Sequence, residues 1–143
     1  MNDTRIYSML TMAGVTPFVG CALLPWFGVD RIEPIGTPHE VAAGYGLAIV
    51  SFLAGIHWAT QLYDQQKTPF NLLLASNVVF VATWLAFVLG SLQLAVIVQA
   101  VALVSLLGLD RWLLGSGVIT RHYFRVRSAA TAIATLSLLV IVL

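Results

Sequence analysis

The stretch Thr37-Pro38-His39-Glu40-Val41-Ala42-Ala43-Gly44-Tyr45-Gly46-Leu47-Ala48-Ile49-Val50-Ser51-Phe52-Leu53-Ala54-Gly55-Ile56-His57-Trp58-Ala59-Thr60-Gln61-Leu62-Tyr63 decides how the chain folds. Thr37 can cap a helix, Pro38 suits its first position, and the Glu40 carboxylate can reach back to the Thr37 amide. After Glu40 no Asp, Glu, Lys or Arg occurs until Asp64. A bilayer crossing needs about 20 apolar residues at 1.5 Å each. The segment therefore reads as a capped transmembrane helix over residues 38–63.

Four further runs of the same kind flank it, at about residues 5–27, 69–89, 92–114 and 123–143. The expected fold is all-α: a single bundle of five transmembrane helices filling residues 1–143. Composition agrees, with 59% hydrophobic residues, 9% charged residues and a mean hydropathy of +0.93. A water-soluble domain carries roughly a quarter charged residues, so lipid is the solvent this surface suits. A net charge of +1 offers no dense basic face for nucleic acid. The single cysteine, Cys21, excludes an intramolecular disulfide and a cysteine-based metal site. Phe18-Val19-Gly20-Cys21 loosely resembles a lipoprotein cleavage box, but no basic cluster precedes it and the apolar run continues to Phe27. Cys21 reads instead as a small buried packing residue.

Pro17 removes a backbone donor and predicts a kink near residues 15–18 of the first helix. Thr68-Pro69 predicts the start of the third helix, Gly90-Ser91 a tight turn, and Gly115-Ser116-Gly117 a break. Arg5, Lys67, Arg111, Arg121, Arg125 and Arg127 fall on one side and Arg31 alone on the other. The excess of basic residues predicts the N-terminus inside and the C-terminus outside, with Arg125 and Arg127 snorkelling toward the headgroups. Trp26, Tyr45 and Trp84 then mark the outer interface; Tyr7, Trp58, Tyr63, Trp112 and Tyr123 mark the inner one.

Polar groups within lipid are costly and therefore informative. His57, Gln61 and Asp64 share one face of the second helix, and Asn77 on the third lies at a depth similar to His57. Asp110 and Arg111 end the fourth helix, close to Tyr123 and Arg125. With Trp58, these are the candidates for ligand binding or proton relay. His57 bridging to a neighbouring helix through Asn77, and Asp110-Arg111 as an interface anchor, are the structural alternatives. Gly44, Ala48, Ser51 and Gly55 form a small-residue stripe, expected to let another helix approach closely. No catalytic residue is assigned. No Ser-His-Asp order or phosphate loop is present, and His57 with Asp64 supplies two ligands where a catalytic zinc wants three. An enzyme is the weaker reading.

Tyr45 to Ala59, containing Gly55-Ile56-His57-Trp58, together with Ala13-Gly14-Val15-Thr16-Pro17-Phe18, resembles the transmembrane protein 69-like family, bacterial and mitochondrial membrane proteins with a domain of unknown function. The resemblance implies an inner-membrane location, here the bacterial cytoplasmic membrane, and directs attention to His57 and Trp58. The resemblance implies no function; the bundle with short loops and its polar residues near one face lead to two expectations. One is an accessory or assembly subunit, or a lipid- or quinone-binding module, contacting anionic headgroups at the inner face as a homo-oligomer or within a larger membrane complex. The other is an oligomeric channel or proton-coupled transporter using His57. No cofactor is expected beyond a bound lipid or quinone.

Overall fold

The computed structural model describes residues 3–64, 66–68 and 70–143. Its elements are α1 (Asp3–Ala13), α2 (Thr16–Leu23), α3 (Pro38–Tyr63), α4 (Leu72–Leu89), α5 (Leu92–Gly115) and α6 (Arg121–Val142). Among the described residues, five helical segments are long and apolar enough to cross a membrane, with α1, α2 and a short 3₁₀ turn making up the first, Asp3–Phe27. This is the architecture of a multi-pass membrane protein.

The first span breaks at Gly14-Val15, where Pro17 has no amide hydrogen to give the Ala13 carbonyl. The Thr16 hydroxyl donates to that carbonyl instead, at 2.7 Å. The Gly14 carbonyl is claimed by the Tyr45 hydroxyl at 2.9 Å, which ties the break to α3. The break is therefore satisfied locally, as an interrupted helix in an apolar medium must be. The 3₁₀ turn Leu24–Phe27 ends at Gly28, whose left-handed φ of 76° closes the segment.

At the start of α3, the Thr37 hydroxyl accepts from the Glu40 amide and the Glu40 carboxylate accepts from the Thr37 amide. Helix α4 begins later than the Thr68-Pro69 signal suggests. Asn71 is its cap, with Oδ1 accepting from the Leu74 amide at 3.1 Å, and Gln61 Oε1 accepts from the Leu72 amide at 2.9 Å. Two side chains thus satisfy amides that a helix start leaves open; Pro69 itself lies outside the described residues. Thr120 caps α6 through the Tyr123 amide, so Arg121 and His122 belong to the helix.

Helices α3 and α5 form the centre. α3 packs on α2, α4 and α5, while α5 packs on α3, α4 and α6. α2 bridges α3 and α6, and α1 leans on α6. The inward face of α3 carries Ala43, Gly46, Val50, Leu53 and His57, and that of α5 carries Val96, Gln99, Leu103, Leu106 and Asp110. Both follow alternating three- and four-residue steps, the spacing that lets side-chain rows interlock. Gln99 packs against Gly46, where an added methyl would overlap its Oε1. Gln99 Nε2 donates to the Ala43 carbonyl at 2.7 Å, one turn away. The expected stripe occupies another face: Gly44, Ala48 and Gly55 are exposed, Ser51 is half-buried, and neither Gly44 nor Gly55 has a neighbour that a methyl would touch. The two stripes run side by side along one helix, and the one facing α5 carries Gly46.

Candidate functional site

His57 lies six residues before the end of α3, Asp110 five before the end of α5, and Arg127 six into α6. At 1.5 Å per residue all three sit about 8–9 Å from the same end of the bundle. They meet there. His57 Nε2 is 3.1 Å from Asp110 Oδ1, and Arg127 Nε donates to Asp110 Oδ2 at 3.0 Å. The residues are 1%, 2% and 6% exposed.

Donor and acceptor counting limits the protons in this set. His57 Nδ1 lies 2.9 Å from the Leu53 carbonyl, which only accepts, so Nδ1 carries a hydrogen. The contact between Nε2 and Oδ1 needs one more proton, on either the imidazole or the carboxyl. In both arrangements the His57–Asp110 pair sums to zero charge and the set keeps the single positive charge of Arg127. A charged group buried without a partner is expensive; here each has one.

Arg127 corrects the sequence reading, which turned it outward to the headgroups beside Arg125. Arg125 is exposed, whereas Arg127 points into the bundle. The signal was present in the pattern: Arg127 shares a face with Ala130, Thr131, Ala134, Leu138 and Ile141, all buried. Asp110 pairs with Arg127 rather than with its neighbour Arg111, which is exposed. His57 meets Asp110, not Asn77, whose Nδ2 donates to the Leu73 carbonyl of its own helix at 2.9 Å.

The remaining candidates scatter. Gln61 joins the ends of α3 and α4, and Asp64 pairs with Lys67 at 3.3 Å in the turn. Trp58 is exposed and borders a shallow groove with Ser51, Gly55 and Asn77. Tyr123 stacks on Tyr7, with ring centres 5.4 Å apart, and its carbonyl accepts from the Tyr7 hydroxyl at 3.1 Å. That pair fastens α1 to α6, and the Ser8 hydroxyl against His122 Nε2 at 3.1 Å adds a second tie.

Beside the charged set lies a cavity of about 370 Å³ enclosed by α1, α2, α3, α5 and α6. One end carries Tyr7, Thr11, Tyr123, Arg127 and Thr131; the other carries Val15, Phe18, Ile49, Leu103 and Ala134. From Tyr123 to Ala134 the wall is about 16 Å long. Leu10 of α1 and Phe52 of α3 also line it and are 67% and 66% exposed. The cavity is thus largely apolar, with its polar groups gathered toward Arg127, and two of its lining side chains, on α1 and α3, are exposed.

A family described as "protein of unknown function (DUF3429)" matches residues 4–143. The chain belongs to the DUF3429 family. No curated protein and no solved structure matches it. The DUF3429 region covers all six helices apart from Asp3, so the charged set and the cavity both lie inside it.

Among the described residues of this DUF3429 chain, no three His, Cys, Asp or Glu side chains gather as a metal site. What the arrangement offers is a proton held between His57 and Asp110, a fixed cation at Arg127, and an apolar chamber against that cation. Such a set can hold an amphiphile by its head and its chain together. It can also pass a proton between two buried groups.

Proposed function

We propose that this DUF3429 protein is a small amphiphile-binding module of the bacterial inner membrane, holding one lipid or quinone in the cavity beside Arg127. The observation that carries the reading is the gradation of that cavity. Tyr7, Thr11, Arg127 and Thr131 occupy one end and Phe18, Ile49 and Ala134 the other. Binding pockets for small ligands are mostly apolar, with a few polar groups that fix orientation, and hold about 300–1,000 Å³. The exposed lining side chains Leu10 on α1 and Phe52 on α3 suit a ligand that arrives from the bilayer.

In this reading the N-terminus faces the cytoplasm, where Arg5, Lys67, Arg111, Arg121 and Arg125 meet anionic headgroups at about 1 kcal/mol each. The protein acts as an accessory or assembly factor, as a homo-oligomer or within a larger membrane complex, and kinship with transmembrane protein 69-like proteins belongs to the same proposal. Native mass spectrometry of the full chain, extracted gently from its own membrane, tests the binding role. The expected result is a retained lipid or quinone that Thr11→Phe, which fills the cavity from peripheral α1, displaces. A wild-type chain that emerges bare, or a ligand indifferent to Thr11→Phe, overturns the reading.

A second reading, proton-coupled transport, rests on the proton between His57 and Asp110. Intramembrane ionisable residues mark proton paths in many transporters. In liposomes, proton flux carried by the wild type and lost in His57→Leu would favour it; no wild-type flux would reject it.

A further inference from the structure

The polar end of the cavity has hydrogen-bonding capacity that the protein does not use. Arg127 carries five N–H donors. Its Nε donates to Asp110, and among the described residues no acceptor takes the four on its terminal nitrogens. One turn deeper on the same face, Thr131 is 4% exposed and its hydroxyl has no partner. Among the described residues the Thr135 hydroxyl on the same helix is also buried without a partner, but Thr131 is the one of the two that lines the cavity. Thr60, Thr83, Ser128 and Ser137 all donate to the carbonyl four residues back, the last two on the same helix. A buried hydroxyl left unpaired costs free energy unless something binds it.

The charge at this end is positive. Because the His57–Asp110 pair sums to zero, the Arg127 cation is not cancelled within the set. Tyr7, Thr11 and Tyr123, the other polar groups there, are uncharged, and the Tyr7 hydroxyl is already committed to the Tyr123 carbonyl. A head that matches four N–H donors, a hydroxyl and a net positive charge is an oxyanion. Guanidinium pairs with carboxylate and phosphate through two parallel hydrogen bonds, a geometry that a quinone carbonyl cannot reproduce. The volume limits the rest of the ligand. At about 370 Å³ the chamber lies near the lower end of ligand pockets, about 300–1,000 Å³. It suits one alkyl chain rather than two.

We propose that the cavity binds a single-chain amphiphile with an anionic head, a carboxylate or a phosphate. The head sits on Arg127 and Thr131 and the chain runs along Phe18, Ile49 and Ala134. This rests on the amphiphile-binding reading above and names its ligand class.

The test is equilibrium binding to the full chain in a neutral maltoside detergent, with four probes: laurate, lauryl phosphate, lauryl alcohol and decylubiquinone. Laurate and lauryl phosphate are expected to bind about tenfold or more tighter than the alcohol, the factor one charge-assisted hydrogen bond carries. Comparing the two anions tells a carboxylate source from a phosphate source. Thr131→Val should weaken both anions and leave the alcohol unchanged, and Arg127→Gln should erase the preference. Thr11→Phe should abolish binding of all four probes.

If the alcohol or the quinone binds as tightly as the anions, the ligand class is wrong while amphiphile binding stands. If no probe binds, both fail. An anion preference that survives Arg127→Gln places the head elsewhere and overturns the proposal. Should Arg127→Gln not fold, Thr131→Val decides alone: equal losses for anion and alcohol, or no loss, overturn it.

Discussion

Removing Asp110 should expose how much of the bundle's stability depends on its buried ions. The side chains of His57, Asp110 and Arg127 are 2%, 3% and 8% exposed, so water screens them little. Asp110→Ala deletes both acceptors at once and strands the Arg127 cation. Breaking a buried pair in this way costs about 3–5 kcal/mol. Asp110→Asn should be much milder, for a reason set by the proton count. Its carbonyl can accept from Arg127 Nε while its amide donates to His57 Nε2, and Nδ1–H still serves the Leu53 carbonyl. The net charge of the set is then unchanged, and about 1–2 kcal/mol is lost with the weaker bonds. Pairing Asp110→Leu with Arg127→Met removes the stranded cation, so the double variant should recover to within about 2 kcal/mol of wild type, the residue being an unpaired His57 nitrogen.

Reversible unfolding in mixed micelles, followed by helical circular dichroism, measures all four proteins. The reasoning fails if Asp110→Ala costs less than about 1 kcal/mol, or if the double variant is no more stable than Asp110→Ala.

The close approach of α3 and α5 gives a comparison within one helix. Gly46→Ala must displace Gln99 and should cost about 1–3 kcal/mol in overpacking, partly offset by better helix propensity. Gly44→Ala and Gly55→Ala meet no neighbour and should gain up to about 1 kcal/mol; equal stability at Gly44 and Gly46 in the same assay would contradict this. Thr37→Ala removes the cap acceptor for the Glu40 amide and should destabilise by about 0.5–2 kcal/mol, read by the same unfolding curve. A reporter fused after Leu143 should be active only when exported, and cytoplasmic activity would reverse the proposed orientation.

Helix number and type were legible because lipid imposes one rule, the internal satisfaction of backbone polar groups, which only long apolar helices meet here. The capping box at Thr37 was legible because it is local: three residues determine it. The start of α4 was not. Thr68-Pro69 carries a valid start signal, but Asn71 and Gln61 supply the acceptors that the Leu72 and Leu74 amides use, and Gln61 comes from another helix. The packing stripe divides in the same way. Gly44, Ala48, Ser51 and Gly55 share a face by spacing, yet spacing alone does not say which face meets α5. Gly46 does so because Gln99 reaches across to the Ala43 carbonyl.

The candidate site was half legible, and Arg127 shows why. His57 and Asp110 stood out because acidic and imidazole groups have no general excuse within an apolar span. An arginine six residues into a helix does have one, since its long side chain can reach the headgroups, and Arg125 two residues earlier does turn outward. Two residues along a helix are about 200° apart, so these two arginines cannot face the same medium. Which one turns inward follows from the residues that continue its row. Arg127 is followed by Thr131, Ala134, Leu138 and Ile141, small or apolar and buried, and at its depth α5 presents the Asp110 carboxylate. The same placement gives it two roles. Nε is held by Asp110, which fixes the plane of the guanidinium, and the same residue lines the cavity. In the proposed reading a cation fixed at one edge and unspent at the other receives the oxyanion head, and the ion pair and the cavity act as one site.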